Sequence, residues 1–194
     1  TDIERLLTVF QKLVDAGHSL LVIEHNFEVI KSADWILDLG PEAGKHGGKL
    51  VAQGTPEHIA TLETPTALFL RKALRKDDAS VVQQSNRKPL LTDHSALGTL
   101  PWLSGQKSIP VPTKRRKPGK ALLQVRGATR HNIRKLDAEI PLGLFVCLTG
   151  VSGSGKSTFA HDIVYQNLAR KLGQEIEGEA ATGGVAREAR GKDD

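Results

Sequence analysis

Apolar residues recur at three- and four-residue spacing from the start of the chain. Residues 2–16 therefore predict an amphipathic helix with Ile3, Leu6, Leu7, Phe10, Leu13 and Val14 on one face. Thr1 or Asp2 can cap its start, and Gly17 can end it in a left-handed conformation. Ser19–Glu24 (SLLVIE) is a continuous apolar run of strand length, as expected of a strand buried on both faces of a parallel sheet. Phe27–Ala33 predicts a short helix and Trp35–Leu39 a second strand. The Gly- and Pro-rich stretch Gly40–Gly48 reads as a turn, after which Lys49–Gln53 pairs back as a hairpin strand. Thr55 and Pro56 suit the cap and first turn of another helix, and Thr64–Leu74 is apolar at helical spacing. This order of helices and buried strands predicts an α/β layer architecture.

From Arg75 to Lys120 the periodicity dissolves into polar and proline-rich sequence, with Leu100–Gly105 (LPWLSG) the one segment expected to dock locally. A connector of that length argues for two separate units. A β-rich unit begins near Leu122: LLQVRG, KLDAEIP and LFVCLTG, the last running into GVSGSGKST and a helical stretch to about Leu172. The tail Gly173–Asp194, rich in Gly, Ala and charge, is expected to be disordered.

Composition narrows this picture. The chain has 194 residues, 39% hydrophobic but only 4% aromatic and without Met, so its core must be aliphatic and Thr1 is expected to be an internal or processed end. A single cysteine, Cys147, excludes an intramolecular disulfide framework and a multi-cysteine zinc site. No apolar run reaches the ~18 residues of a membrane span, and no leader is expected. The net charge of +5 is compatible with a polyanionic partner without specifying one.

Gly150–Ser157 (G-V-S-G-S-G-K-S) fits the phosphate-loop pattern GxxxxGK[ST]. It follows the apolar strand Leu144–Thr149 and precedes a helix, as the mechanism requires. Gly150, Gly153 and Gly155 let the backbone wrap closely, so that N–H groups of the loop, with Val151, Ser152 and Ser154 between the glycines, turn inward. The helix start near Lys156 presents its positive end. Lys156 can reach the β- and γ-phosphates and Ser157 can offer its hydroxyl to Mg²⁺, while Thr158 reads as a helix hydroxyl. Hydrolysis needs an acidic strand residue for the metal and a water-positioning base. No apolar run ends in Asp-Glu, and Asp34 and Asp38 are expected in solvated or capping roles. The chain is therefore expected to bind nucleotide poorly alone and to hydrolyse it hardly at all. His25 stands at the end of the first buried strand. There it reads either as a hydrogen-bonded rim histidine or as a residue facing a ligand.

Leu21–Ala60 resembles the end of an ATP-binding-cassette domain of the UvrA family, the damage-recognition subunits of the UvrABC excinuclease. Arg126–Leu172 is similar to the opening of that family's second cassette, and Ile109–Ala128 to the segment leading into it. The resemblance implies an α/β fold made of pieces of the P-loop NTPase fold of ABC type. These are two partial cassettes joined by a linker: 1–74 the C-terminal part of one, 75–120 the linker, 121–172 the N-terminal part of the next, and 173–194 a tail. It also implies a Walker A loop at Gly150–Ser157 with Thr158 beside it among the nucleotide-binding residues, His25 as the switch histidine at a γ-phosphate, ATP and Mg²⁺ as ligands, and a cytoplasmic location. The implied partners are double-stranded damaged DNA, a UvrB-like repair protein, and a second cassette in a homodimeric parent, with no membrane. The family's zinc modules, Walker B strand and ABC signature are missing from the sequence. Walker A here follows the switch histidine, so His25 and Lys156 are expected to belong to different cassettes and to separate nucleotides. Lys114, Arg115, Arg116 and Lys117 form a run without an acidic neighbour between Lys107 and Lys120, which could contact DNA phosphates or remain a solvated linker charge. Three alternatives remain: a transport ATPase fragment of the same superfamily, a non-catalytic remnant, and a permuted single domain. In the last, Ser19–Glu24 and Leu144–Thr149 would lie side by side.

Overall fold

A computed structural model describes residues 2–75, 109–174 and 182–189. The expected cap at Thr1 and the docking of Leu100–Gly105 lie outside these residues. Helix α1 (Asp2–Asp15) is followed by β1 (Leu20–Ile23), α2 (Phe27–Ile30), β2 (Trp35–Gly40), a 3₁₀ turn at Gly44–His46, β3 (Lys49–Gly54), α3 (Pro56–Ala60) and α4 (Pro65–Arg75). After the connector come β4 (Ala121–Arg130), β5 (Ile133–Pro141) and β6 (Phe145–Gly150). A helix follows, wound as a π-helix over Thr158–Tyr165 and continuing as α5 (Gln166–Lys171).

The caps follow local chemistry. Asn26 accepts from the Glu28 amide at the start of α2, and Thr55 from the His58 amide at the start of α3, ahead of Pro56. On α1, Leu7 and Val14 are buried, but Leu6 and Leu13 of the predicted face remain 39% and 38% exposed. The predicted apolar face is thus wider than the surface that covers it.

The two segments expected to be separate units share one sheet, with strand order β1-β6-β2-β3. Strand β6 enters between β1 and β2, parallel to both, with Leu20 opposite Phe145, Ile23 opposite Leu148 and Asp38 opposite Thr149. A parallel strand needs a long crossover and two apolar neighbours, and the connector supplies the first while β1 and β2 supply the second. Side chains of β6 alternate accordingly. Val146 and Leu148 pack with Leu37, Val125, Leu136, Ile140, Phe159 and Ile163. Phe145 and Cys147 pack on the opposite side with Val14, Ile30, Ile36, Ile59, Leu70 and Ile109. Burial pushes the Cys147 thiol far above its ordinary range, so it behaves as a small apolar residue. Strand β1 lies at the sheet edge and is only half-buried, not buried on both faces as its composition predicts.

A second, antiparallel sheet has the order β5-β4-β7. Strand β7 (Thr182–Ala189) comes from the tail expected to be disordered and pairs with β4, Val125 opposite Val185. Pairing satisfies the N–H and C=O groups that β4 would otherwise leave bare at an edge, a gain that composition alone does not register.

Candidate functional site

Because β1 and β6 run parallel in register, their C-terminal ends reach the same rim of the sheet. The residues that follow them, His25 after β1 and the Gly150–Ser157 loop after β6, meet there. They line one cavity of about 330 Å³ with Ile23, Asn132, Ser152, Gly153, Gly155, Lys156, Ser157 and Thr158. His25 and Lys156, expected from their order in the sequence to belong to different cassettes, thus line one cavity within this chain. The crossover that carries β6 between β1 and β2 brings the two residues together.

The loop winds as its glycines permit. Gly150, Gly153 and Gly155 have φ of 132°, 74° and 101°, a region side chains rarely adopt. At Gly150 a Cβ would stand 1.9 Å from the Leu39 carbonyl oxygen, so β2 approaches the loop backbone directly. The Ser154 amide donates to the Val151 carbonyl at 3.2 Å, closing the turn. The helix starts at Lys156 and Ser157, as expected.

The Lys156 ammonium donates to the Gly150 and Val151 carbonyls at 3.0 and 2.8 Å, and the residue is buried. Burial lowers the ammonium below its ordinary value, and the negative charge of Asp38 partly offsets this. Asp38 is itself buried, contrary to the solvated role expected for it. Burial raises its carboxyl, opposed by hydrogen bonds from Thr66 and Thr64 and by the Lys156 charge. Asp34 is buried as well. It accepts from the Phe145 amide at 3.0 Å and from the Arg116 amide and guanidinium at 3.1 Å, pinning β6 to the segment before β4.

The basic run has a different environment from the one its composition predicts. Arg115 donates to Glu57, to the Ala33 carbonyl at 2.6 Å and to the Lys31 carbonyl at 2.7 Å. Arg116 donates to Gln11, Asp34 and Asp15. Burial alone would raise the Glu57 carboxyl, but the hydrogen bond and charge of Arg115 outweigh it and hold the group below its ordinary value. Both guanidiniums are spent within the fold, while Lys114 and Lys117 pair with no carboxylate among the described residues. The acidic partners lie 58 to 101 positions away along the chain, which is why a reading of neighbours alone leaves the run unpaired.

Asn132 has no signal in the sequence, yet it lines the cavity and its amide donates to the Gly153 carbonyl at 3.3 Å. Among the described residues no group of three or more His, Cys, Asp or Glu could hold a metal ion, and no helix is long and apolar enough to cross a membrane.

No family model matches the chain. It is 42% identical to UvrABC system protein A of Methanothermobacter thermautotrophicus over 171 residues, 88% of this chain and 14% of that protein. It is 41% identical to the Aquifex aeolicus protein of the same name over 165 residues, with 85% and 14% covered. It is also 41% identical to the Thermus thermophilus one over 171 residues, with 88% and 15% covered. The chain thus spans only about one-seventh of the length of these relatives, 14–15%.

Proposed function

From the premise that this chain belongs with the UvrA proteins over the 171 residues aligned, we propose that it forms the ATP-binding part of a damage-recognition ATPase of nucleotide excision repair. The observation that carries this reading is the meeting of the Gly150–Ser157 loop and His25 in one cavity of about 330 Å³. The loop residues suit a polyphosphate. Gly150, Val151, Ser152, Gly153, Ser154 and Gly155 supply a concave backbone, and glycine torsions keep side chains out of the concavity. The start of the helix at Lys156 favours negative charge. Lys156 would exchange its two carbonyl acceptors for phosphate oxygens, Ser157 would offer its hydroxyl to the Mg²⁺ that accompanies ATP, and Thr158 borders the same cavity. His25 would face the terminal phosphate of that same nucleotide.

The fold reading that accompanies this is of pieces of the ABC-type P-loop fold, the trailing part of one cassette and the leading part of the next, complementing each other in one sheet. The register of β1 with β6 supports a nucleotide-binding unit assembled within the chain rather than a pair of disconnected pieces. In the parent, ATP binding and hydrolysis would rearrange a cassette dimer, controlling its grip on double-stranded damaged DNA and its hand-over to a UvrB-like partner. The run Lys114–Lys117 contributes little to DNA binding on this reading, because Arg115 and Arg116 are paired internally. The chain alone is expected to bind ATP and Mg²⁺ with little turnover.

Titration of the 194-residue chain with ATP and Mg²⁺ tests this. Binding that Lys156→Ala weakens at least about tenfold supports it, the loss of roughly 1.4 kcal/mol being modest for a charge-assisted phosphate contact. Binding that is indifferent to Lys156→Ala, or absent from the wild-type chain, would sink it.

A further inference from the structure

The stretch Gly40–Gly48, read from sequence as a mere turn, is the part of this chain that the proposed function leaves without a task. It packs on the outer side of the phosphate loop. The Gly44 amide donates to the Gly153 carbonyl at 3.1 Å, and the Gly48 amide to the Ser154 carbonyl at 3.0 Å. The Asn132 side chain adds a second donor to the Gly153 carbonyl at 3.3 Å.

The approach is backbone to backbone. A Cβ on Gly48, whose φ is +71°, would stand 2.2 Å from the Asn132 carbonyl oxygen. One on Gly47 would stand 2.3 Å from the Glu42 carbonyl oxygen and 3.2 Å from the Ser154 Cα, and one on Gly153 would stand 3.2 Å from the Ala43 Cβ. At Gly47 and Gly48 the segments therefore meet with no room for a side chain, and Gly153 lies tight against Ala43.

We propose that the Gly44–Gly48 backbone and Asn132 are positioning groups for nucleotide binding: they hold the carbonyls of Gly153 and Ser154 outward and so fix where the next amides point. The physical reason is peptide planarity. In a trans peptide the C=O and the following N–H point in opposite directions. Tying the Ser154 carbonyl to the Gly48 amide turns the Gly155 amide away from residues 44–48, and Gly155 lines the nucleotide cavity. Tying the Gly153 carbonyl aims the Ser154 amide at the Val151 carbonyl, which closes the turn. Preorganised donors spend no binding energy on being oriented, so their loss appears as weaker binding. This inference rests on the reading of the cavity as an ATP site.

Two variants and a control test it in the full chain. Asn132→Leu keeps the approximate size of the side chain and removes the donor. Gly48→Ala places a methyl group against the Asn132 carbonyl. Lys12→Ala alters an exposed side chain of α1, outside the proposed clamp. Backbone ¹⁵N relaxation without nucleotide reads the amides of Ser154 and Gly155, and titration with ATP and Mg²⁺ reads affinity. In Asn132→Leu and Gly48→Ala the order parameters of these amides are expected to fall from about 0.85 toward 0.6. Kd should rise at least about tenfold, a loss of about 1.4 kcal/mol, with the unfolding midpoint of Asn132→Leu held, while Lys12→Ala changes neither. Rigid Ser154 and Gly155 amides in Asn132→Leu would overturn the proposal, and so would mobile amides with unchanged Kd. A wild-type chain that binds no ATP would sink the nucleotide reading instead. The relaxation data would then still accept or reject the clamp on the loop.

Discussion

Replacing Arg116 by Ala separates a structural from a DNA-binding role for the basic run most directly. Its guanidinium lies 3.1 Å from Asp34 Oδ2, and the Asp34 side chain is only 5% exposed. Truncation leaves that carboxylate buried with only backbone donors, the Phe145 and Arg116 amides. Removing one partner of a buried pair costs about 3–5 kcal/mol, and the low end, about 3, applies because the Arg116 side chain is itself 30% exposed. For a chain of this size that is a fall of roughly 6–12 °C in the unfolding midpoint. The contact of Arg116 with Asp15, whose side chain is 67% exposed, adds less than about 1 kcal/mol. Urea unfolding of Arg116→Ala, Asp34→Asn and the double variant should therefore give a coupling of about 2 kcal/mol, and the same cycle with Asp15→Ala should give below about 0.5. A solvated, phosphate-facing arginine predicts the opposite: unchanged stability, and a shallower salt dependence of polyanion binding. Stability of Arg116→Ala within about 0.5 kcal/mol of wild type, or no coupling to Asp34, would refute this structural role of the Arg116–Asp34 pair.

Gly150→Ala should cost about 3 kcal/mol or more, since it sets a methyl group 1.9 Å from the Leu39 carbonyl oxygen at a φ of 132°; a variant as resistant to urea as wild type would contradict the β2–loop contact. Asp38→Asn should flatten the pH dependence of stability. Because burial raises the folded-state value above the ordinary 3.8, the folded chain holds the proton more tightly. Wild-type stability should then fall as pH climbs from about 4 through that raised value, and the variant should not follow it. Urea midpoints measured from pH 4 to 7 decide this. A wild type that instead gains stability with pH relative to Asp38→Asn would mean that attraction to Lys156 outweighs burial.

The local elements were written in short-range patterns: the capped starts of α2 and α3, the alternating faces of β6, and the glycine spacing that lets Gly150–Ser157 wind as it does. Each depends on torsions and contacts within a few residues, so the chain order alone specifies them. The apolar composition of SLLVIE likewise announced a parallel strand, and that of LFVCLTG a strand, without fixing that they are neighbours. Pairing across the long connector is decided by which edges and apolar faces remain to be covered, and that is a property of the whole fold. The same holds for the site. The Gly150–Ser157 loop was legible as a motif, but its company was not: His25, Asn132 and the Gly44–Gly48 backbone arrive from other segments. Arg115 and Arg116 looked like free cations because their carboxylates are remote in sequence. Sequence by itself set the torsions and the chemistry carried at each position. The tertiary structure decided which charges meet and which backbone groups face the cavity, because such partnerships depend on distances that only the closed sheet creates.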